Sequence, residues 1–266
     1  MSQNAVLAAL RDAEHTSCSS IKCYLRCPQQ WAHRYRLRTQ PSHRNVALLL
    51  GSALHEVAAR FYEHFRQHAE IPKLDLLQDV FDDCWNKGVT ADPPIKADDV
   101  GAEKDIGIGL VKVFHEMVPR PKEVLAVEHP FVLPVVALAP GSNSDLLVVG
   151  ALDAVVVDQG GQVTIVELKT AARRWSTDQL VNDFQPTLHQ IAARETGIAK
   201  APQLRMDFVL KTKRPALESV TVLRSRERES ELWKVFSGVL RAIKHEIFYP
   251  LRTWACEDCE FGYACR

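Results

Sequence analysis

Apolar positions along the chain fall into two periods. From Gly51 to His68, Leu54, Val57, Ala58, Phe61, Tyr62 and Phe65 recur every three or four residues, which predicts an amphipathic helix. Residues 72–118 keep that period on either side of a break over Asp92–Val100, where Pro93 and Pro94 interrupt it, and read as a helical insertion ahead of the strands. The period then shortens. Glu123–Val136 reads as a strand, followed by a turn at Pro140-Gly141. Asp183–Arg194 is a helix with Leu188, Ile191 and Ala192 inward, and it tolerates Pro186 only if it starts there. Gln203–Leu210 is expected to be the last core strand, and Lys211, Lys213 and Arg214 leave it as a basic loop. Arg226–Tyr249 is a long amphipathic helix packing Leu232, Val235, Phe236, Val239, Leu240 and Ile243.

The most informative stretch is Gly150–Thr170, GALDAVVVDQGGQVTIVELKT. Two β-branched runs flank a Gly-rich turn, the signal of a β-hairpin. With Gln159, Gly160 and Gly161 as the loop, Asp158 pairs with Gln162 and Asp153 falls opposite Glu167. The two-residue period then places Glu167, Lys169 and Asp153 on one face. Val155, Val157, Val163 and Ile165 are expected on one side of this ribbon, and Leu152, Val156, Val166 and Leu168 on the other. Ionisable groups inside such a doubly covered pair are costly unless a metal or substrate satisfies them. A structural ion pair of Lys169 with Glu167 is the alternative.

Near the start, SCSSIKCYLRCPQQW suggests a short helix capped by Ser19 or Ser20, with Ile21, Tyr24 and Leu25 on its apolar face. Pro28 favours a first helical position, which leaves Cys27 at the joint of two short helices, with Trp31 and Tyr35 four apart on the second. Residues 1–16 read as a loose helix or tail. Lys22, Arg26, Arg34, Arg36, Arg38 and Arg44 concentrate in this part of the chain, either as a solvated face or as a phosphate-tracking edge. His55 lies next to the apolar stripe of its helix, expected in the first turn after Gly51-Ser52, while His64 and His68 are expected to face solvent. Glu128 is a candidate secondary acid or an edge-strand charge. Arg173, Arg174 and Trp175 are placed to meet a phosphate or a base, or to form a loop tip with a buried Trp.

Composition changes little in this picture. The chain has 266 residues, 46% hydrophobic and 25% charged, as in ordinary globular proteins. The formal net charge is zero, so any nucleic-acid surface must be local. The absence of a secretory signal or a membrane-length apolar run, together with seven cysteines, leads to the expectation of an intracellular, reducing location. The apolar run Phe131–Ala139 is short and broken by Pro134.

Cysteines matter more for their spacing. Cys256, Cys259 and Cys265 form C-x2-C-x5-C among Trp254, Phe261 and Tyr263. Three thiols crowded into a short tail suggest ligation, and Cys27 is the obvious fourth ligand; zinc would accept all four thiolates. Cys18, Cys23 and Cys84 read as ordinary thiols, although Cys23 sits one turn before Cys27.

Together these residues resemble the PD-(D/E)XK nuclease superfamily, in its RecB-like branch, which includes CRISPR-associated RecB-like exonucleases. Gly150 and Asp153 match that branch's Gly-x-x-Asp, Glu167 and Lys169 its Glu-x-Lys, Gly51 and His55 its Gly-x-x-x-His, and Cys27-Pro28 its N-terminal signature. The Pro of the namesake motif is absent, and His189 stands where Gln-x-x-x-Tyr, begun by Gln185, would place Tyr. The resemblance implies an α/β fold: a restriction-endonuclease-like mixed sheet core flanked by helices, in one domain. That domain would comprise a helical part (17–120), a sheet core (121–225) and a C-terminal helix with the cysteines (226–266), and the helical insertion would wall a DNA channel. It further implies a metal-dependent DNA nuclease, an exonuclease acting on single strands or free ends. Mg2+ or Mn2+ would be held by Asp153, Glu167, the Leu168 carbonyl and His55, with Lys169, Gln185 and His189 as further site residues. The implied role of Cys27, Cys256, Cys259 and Cys265 is to hold a [4Fe-4S] cluster that staples the chain ends. Recombination, phage or CRISPR-adaptation proteins are the implied partners, with no membrane. The alternative is a non-catalytic DNA-end binding or docking scaffold.

Overall fold

A computed structural model describes residues 15–135 and 146–265. The Pro140-Gly141 turn, Val136 and residues 1–14 of the expected tail lie outside the described residues.

His15 and Thr16, expected to belong to a loose helix or tail, form a short strand with Ser17, β1 (His15–Ser17). Helix α1 (Cys18–Arg26) follows, and its cap is Ser17, whose hydroxyl accepts from the Ser20 amide; the cap expected at Ser19 or Ser20 is thus corrected. Cys18, Ile21 and Tyr24 form the buried face, whereas Leu25, expected on it, is exposed. Cys27 is extended, ends α1 and caps α2 (Pro28–Trp31), with Pro28 in the first turn. A π-helical turn (Ala32–Arg36) carries Tyr35.

Two short strands that the hydrophobic pattern did not predict, β2 (Arg44–Asn45) and β3 (Ile95–Lys96), pair in parallel. Between them run α3 (Val46–His68) and α4 (Leu74–Thr90), and α5 (Val100–Met117) follows. Asn45 caps α3, so this helix begins before Gly51, and His55 lies in its interior rather than in its first turn. A Gly-Ser pair looks like a helix start in sequence; the Asn45 side chain on the Ala47 amide decides otherwise.

The sheet has six strands. β4 (Glu123–Pro134) and β5 (Leu147–Val157) are antiparallel along nearly their whole length. β6 (Val163–Ala171) returns through the turn at Gly161, whose φ of +82° suits glycine. The hairpin register is the expected one, since the Asp158 amide donates to the Gln162 carbonyl at 3.0 Å and Val157 pairs with Val163. After β6 come α6 (Thr177–Asn182) and α7 (Gln185–Glu195), a parallel strand β7 (Gln203–Leu210), and β8 (Ala216–Val222). β8 corrects the expectation that β7 would be last. Helix α8 (Arg226–Lys244) ends before the predicted Tyr249.

Helices cover both faces of the sheet. On one, Ile21, Leu188 and Phe236 from α1, α7 and α8 pack on Phe131, Val155, Ile165 and Phe208. On the other, Leu54, Phe61, Phe81 and Leu110 from α3, α4 and α5 pack on Val156, Val166 and Leu168. Leu152 joins the first face with Val155 and Ile165, against the expected alternation. The reason lies next to Asp153. Glu128, which falls opposite Asp153 between the pairs Val127–Ala154 and His129–Leu152, turns through φ +44°, and on either side of this point the side chains of both strands lie on different faces.

β5 also forks. β4 occupies one whole edge, while β1 pairs with residues 147–149 on the other and β6 with residues 154–157. Gly150, Ala151, Leu152 and Asp153 therefore have no strand on that edge, and β6 leaves the pairing just before Glu167.

Candidate active site

Asp153 lies at the point where β5 and β6 part. Its carboxylate replaces the missing strand partner by accepting from the Leu168 amide at 2.8 Å, and His55 Nδ1 is 3.4 Å from the same oxygen. The turned backbone of Glu128 brings its carboxylate to this point. His55, Glu128 and Asp153 offer ligand atoms mutually within 4.8 Å, so the three come from α3, β4 and β5 to one place. The group carries a charge conflict. Burial and the Asp153 charge push Glu128 up to about 7, while His55, lowered by burial, is raised overall by Asp153. A cation among them would relieve that repulsion. Two hard carboxylates and one imidazole suit Mg2+ or Mn2+.

Glu167 begins the part of β6 that has left β5. Gln185 Nε2 donates to its Oε1 at 2.6 Å, Lys169 donates to the same oxygen, and His189 Nδ1 lies 3.0 Å from Oε2. That last approach lacks hydrogen-bond geometry, so Glu167 Oε2 and His189 Nδ1 are buried without hydrogen bonds. Burial pushes Glu167 up, but the charges of His189 and Lys169 outweigh it and hold the carboxyl well below its usual range. Lys169, lowered by burial, is raised overall by Glu167. Glu167 is thus a buried carboxylate with the Lys169 ammonium and the Gln185 amide on one oxygen and the His189 ring beside the other.

Local packing explains the glycine of Gly-x-x-Asp. Gly150 pairs with Phe131, and a Cβ there would come within 2.5 Å of the Phe131 ring. Phe131 in turn meets the His189 ring edge-on at 5.9 Å.

The first and last cysteine segments also meet. Cys27, Cys256, Cys259 and Cys265 line one cavity of about 120 Å³, together with Gln30, His33 and Phe261. Burial pushes the Cys259 thiol up, with Glu260, Cys27 and Cys265 adding to the rise. Cys23 is buried and does not line this cavity.

The family model described as the PD-(D/E)XK nuclease superfamily matches residues 15–266. The chain belongs to the PD-(D/E)XK nuclease superfamily. Among solved structures, a crystal structure from Eubacterium rectale named "Putative exonuclease" is similar at 14% identity and a TM-score of 0.59, covering 97% of this chain and 92% of that one. That likeness concerns the fold. A second, SSO0001, is 12% identical with a TM-score of 0.38 over 93% of this chain and 94% of its own, too loose to bear on the argument. A search of curated proteins finds no match.

Within this PD-(D/E)XK fold the residues singled out in the sequence divide into two groups. His55 and Asp153 meet Glu128, while Glu167, Lys169, Gln185 and His189 form an adjoining network on the α7 side. Leu168 connects them through its amide on Asp153. Trp175 packs on Phe208 at 5.3 Å, and Arg174 pairs with Glu218, the duller of the two readings for this loop. The His64 and His68 rings lie 4.6 Å apart, away from this network. Two site neighbours carried no sequence signal. Lys22 Nζ donates to Asp183 Oδ2 at 2.8 Å and to Gln185 Oε1 at 3.1 Å, across 161 and 163 residues. Among the described residues, no helix is long and apolar enough to cross a membrane.

Proposed function

We propose that this nuclease-superfamily protein is a Mg2+- or Mn2+-dependent deoxyribonuclease, an exonuclease acting on single-stranded or end-frayed DNA. The observation that carries the proposal is the convergence of His55, Glu128 and Asp153 at the β5–β6 fork, beside a buried Glu167 flanked by Lys169 and His189. His55, Glu128, Asp153, Glu167 and the Leu168 carbonyl are the residues that would hold the metal. A divalent ion bound there would supply water activation and charge stabilisation at the phosphate. The protein's own groups do the rest. Lys169, itself 20% exposed at the side chain, offers an ammonium to a phosphate or to the attacking water while Glu167 keeps it charged. Gln185 and His189 hold the Glu167 carboxylate in place. Gly51 lies one helical turn from His55, and a Cβ there would meet open space, which leaves room for a substrate to approach.

The four cavity cysteines are proposed to hold a [4Fe-4S] cluster whose role is to staple the chain ends. Their meeting in one cavity supports a shared ligand, and the C-x2-C-x5-C triplet with the early Cys-Pro favours a cluster by family resemblance. Recombination or CRISPR-adaptation proteins are proposed partners by family resemblance.

The test is digestion of end-labelled single- and double-stranded DNA with Mg2+ or Mn2+. The wild type should cleave, and Asp153→Ala should lose at least ~10³-fold in rate with unchanged circular dichroism. Binding of DNA ends without cleavage by the wild type would instead favour the scaffold reading.

A further inference from the structure

Lys22 sits on α1, the helix that ends at Cys27, yet its ammonium reaches the network around Glu167. We infer that Lys22 is a positioning residue of the catalytic site, acting through Gln185 to fix the orientation of the Glu167 carboxylate. The inference rests on the nuclease reading for its kinetic consequence, although not for the contact itself.

The argument follows from the donors and acceptors of one amide. Gln185 has one carbonyl oxygen and one NH2 group. Its Oε1 accepts from two ammoniums, Lys22 and Lys169, each at 3.1 Å, and its Nε2 donates to Glu167 Oε1 at 2.6 Å. Rotating the amide by a half-turn would set NH2 against both ammoniums and a carbonyl oxygen against the Glu167 carboxylate. All three contacts would then be unfavourable, so the two lysines together lock the amide. The lock keeps Glu167 Oε1 occupied and the carboxylate turned with Oε2 toward His189 Nδ1, 3.0 Å away.

Lys22 is itself held. Asp183 has a side chain 8% exposed, gives Oδ2 to Lys22 and uses Oδ1 to accept from the Gln185 amide at 2.8 Å. Arg224 fixes the same corner by donating to the Asp183 carbonyl at 2.8 Å. The Lys22 ammonium also lies 5.4 Å from the Phe184 ring. One carboxylate thus aligns the start of α7 and the lysine that orients its first side chain. With two of its three donors taken by Asp183 and Gln185, Lys22 is held to act on the geometry of Glu167 first.

The experiment compares Lys22→Met and Lys22→Arg with wild type in metal-dependent cleavage. In parallel it follows the Gln185 side-chain amide by 1H–15N NMR in metal-free protein, assigned by its loss in Gln185→Ala. Expected are a roughly tenfold fall in kcat for Lys22→Met with KM within about twofold, recovery to within about threefold in Lys22→Arg, and no further loss when Lys22→Met is added to Gln185→Ala. The Gln185 amide protons should lose their protection from exchange in Lys22→Met alone. A KM that rises steeply with salt at unchanged kcat would overturn the inference by making Lys22 a phosphate contact. So would an unaltered amide signal. If the wild type cleaves nothing, the nuclease reading fails, and the NMR arm still decides whether Lys22 orients Gln185.

Discussion

At the β5–β6 fork, the charged groups are set by regular secondary structure and by each other. Asp153 takes the Leu168 amide, Glu167 takes Gln185 and Lys169, and Lys22 reaches in from α1. Around the cysteine cavity, by contrast, Cys256, Cys259 and Cys265 hang from a 3-10 turn (Trp254–Cys256) and the loops after it. That tail is attached to the N-terminal segment mainly by polar contacts. Gln30 donates to Glu260 at 3.1 Å, Arg34 pairs with the same carboxylate, and Tyr263 donates to the Gln40 carbonyl at 2.6 Å. His33 stacks on Phe261 at 5.6 Å. The difference teaches what each region needs. The fork is preorganised by strands and helices, so the cation proposed there would mainly balance charge; the tail has little regular structure, so the ligand proposed for its cysteines would mainly add stability.

Three substitutions sharpen that contrast. The largest effect belongs to the cavity. Cys256→Ala should abolish visible sulfur-to-iron absorbance in anaerobically purified protein. Losing a staple worth about 3 kcal/mol should lower Tm by roughly 6–12 °C. A colourless wild type with stoichiometric zinc would refute the cluster, and an unchanged Tm would refute the staple.

Next is Gly150→Ala at the fork, where the new Cβ would meet the Phe131 ring at 2.5 Å. Overpacking of this kind should cost about 2 kcal/mol in denaturant unfolding. A neutral result would show that the strand scaffold beneath His189 is softer than its packing implies.

The smallest is Glu128→Gln, which should weaken Mn2+ binding about tenfold at pH 8 with no loss of stability. The sign of the pH dependence follows from the metal-free carboxyl being pushed up to about 7 by burial and Asp153. Below that pH a proton competes with the metal, so wild-type affinity should rise from pH 6 to 8 and then flatten. The variant should show a shallower rise. Equal slopes in calorimetric titrations would remove Glu128 from the ligand set.

Much of this architecture was legible in the sequence because it is encoded locally. The hairpin register follows from a Gly-rich turn between β-branched runs, and the cysteine constellation from the spacing of C-x2-C-x5-C. What stayed hidden depends on distant or irregular features. The Lys22–Asp183 pair spans 161 residues and has no periodicity to announce it. The bend at Glu128 depends on a left-handed φ in a residue that does not advertise one, and it moved Leu152 to the opposite face. β8 was missed because Glu218, Ser219 and Thr221 make it half polar and a basic loop precedes it. The start of α3 was misplaced because Gly51-Ser52 resembles a helix start more than Asn45 does.

The central claim is that the fork holds a divalent cation, and calorimetric titration of Mn2+ into metal-free wild type and Asp153→Ala tests it most directly. The account predicts saturable binding by the wild type and at least ~100-fold weaker binding by the variant, since Asp153 supplies one of the few charged ligands. Equal binding by both proteins, or none by the wild type, would contradict it.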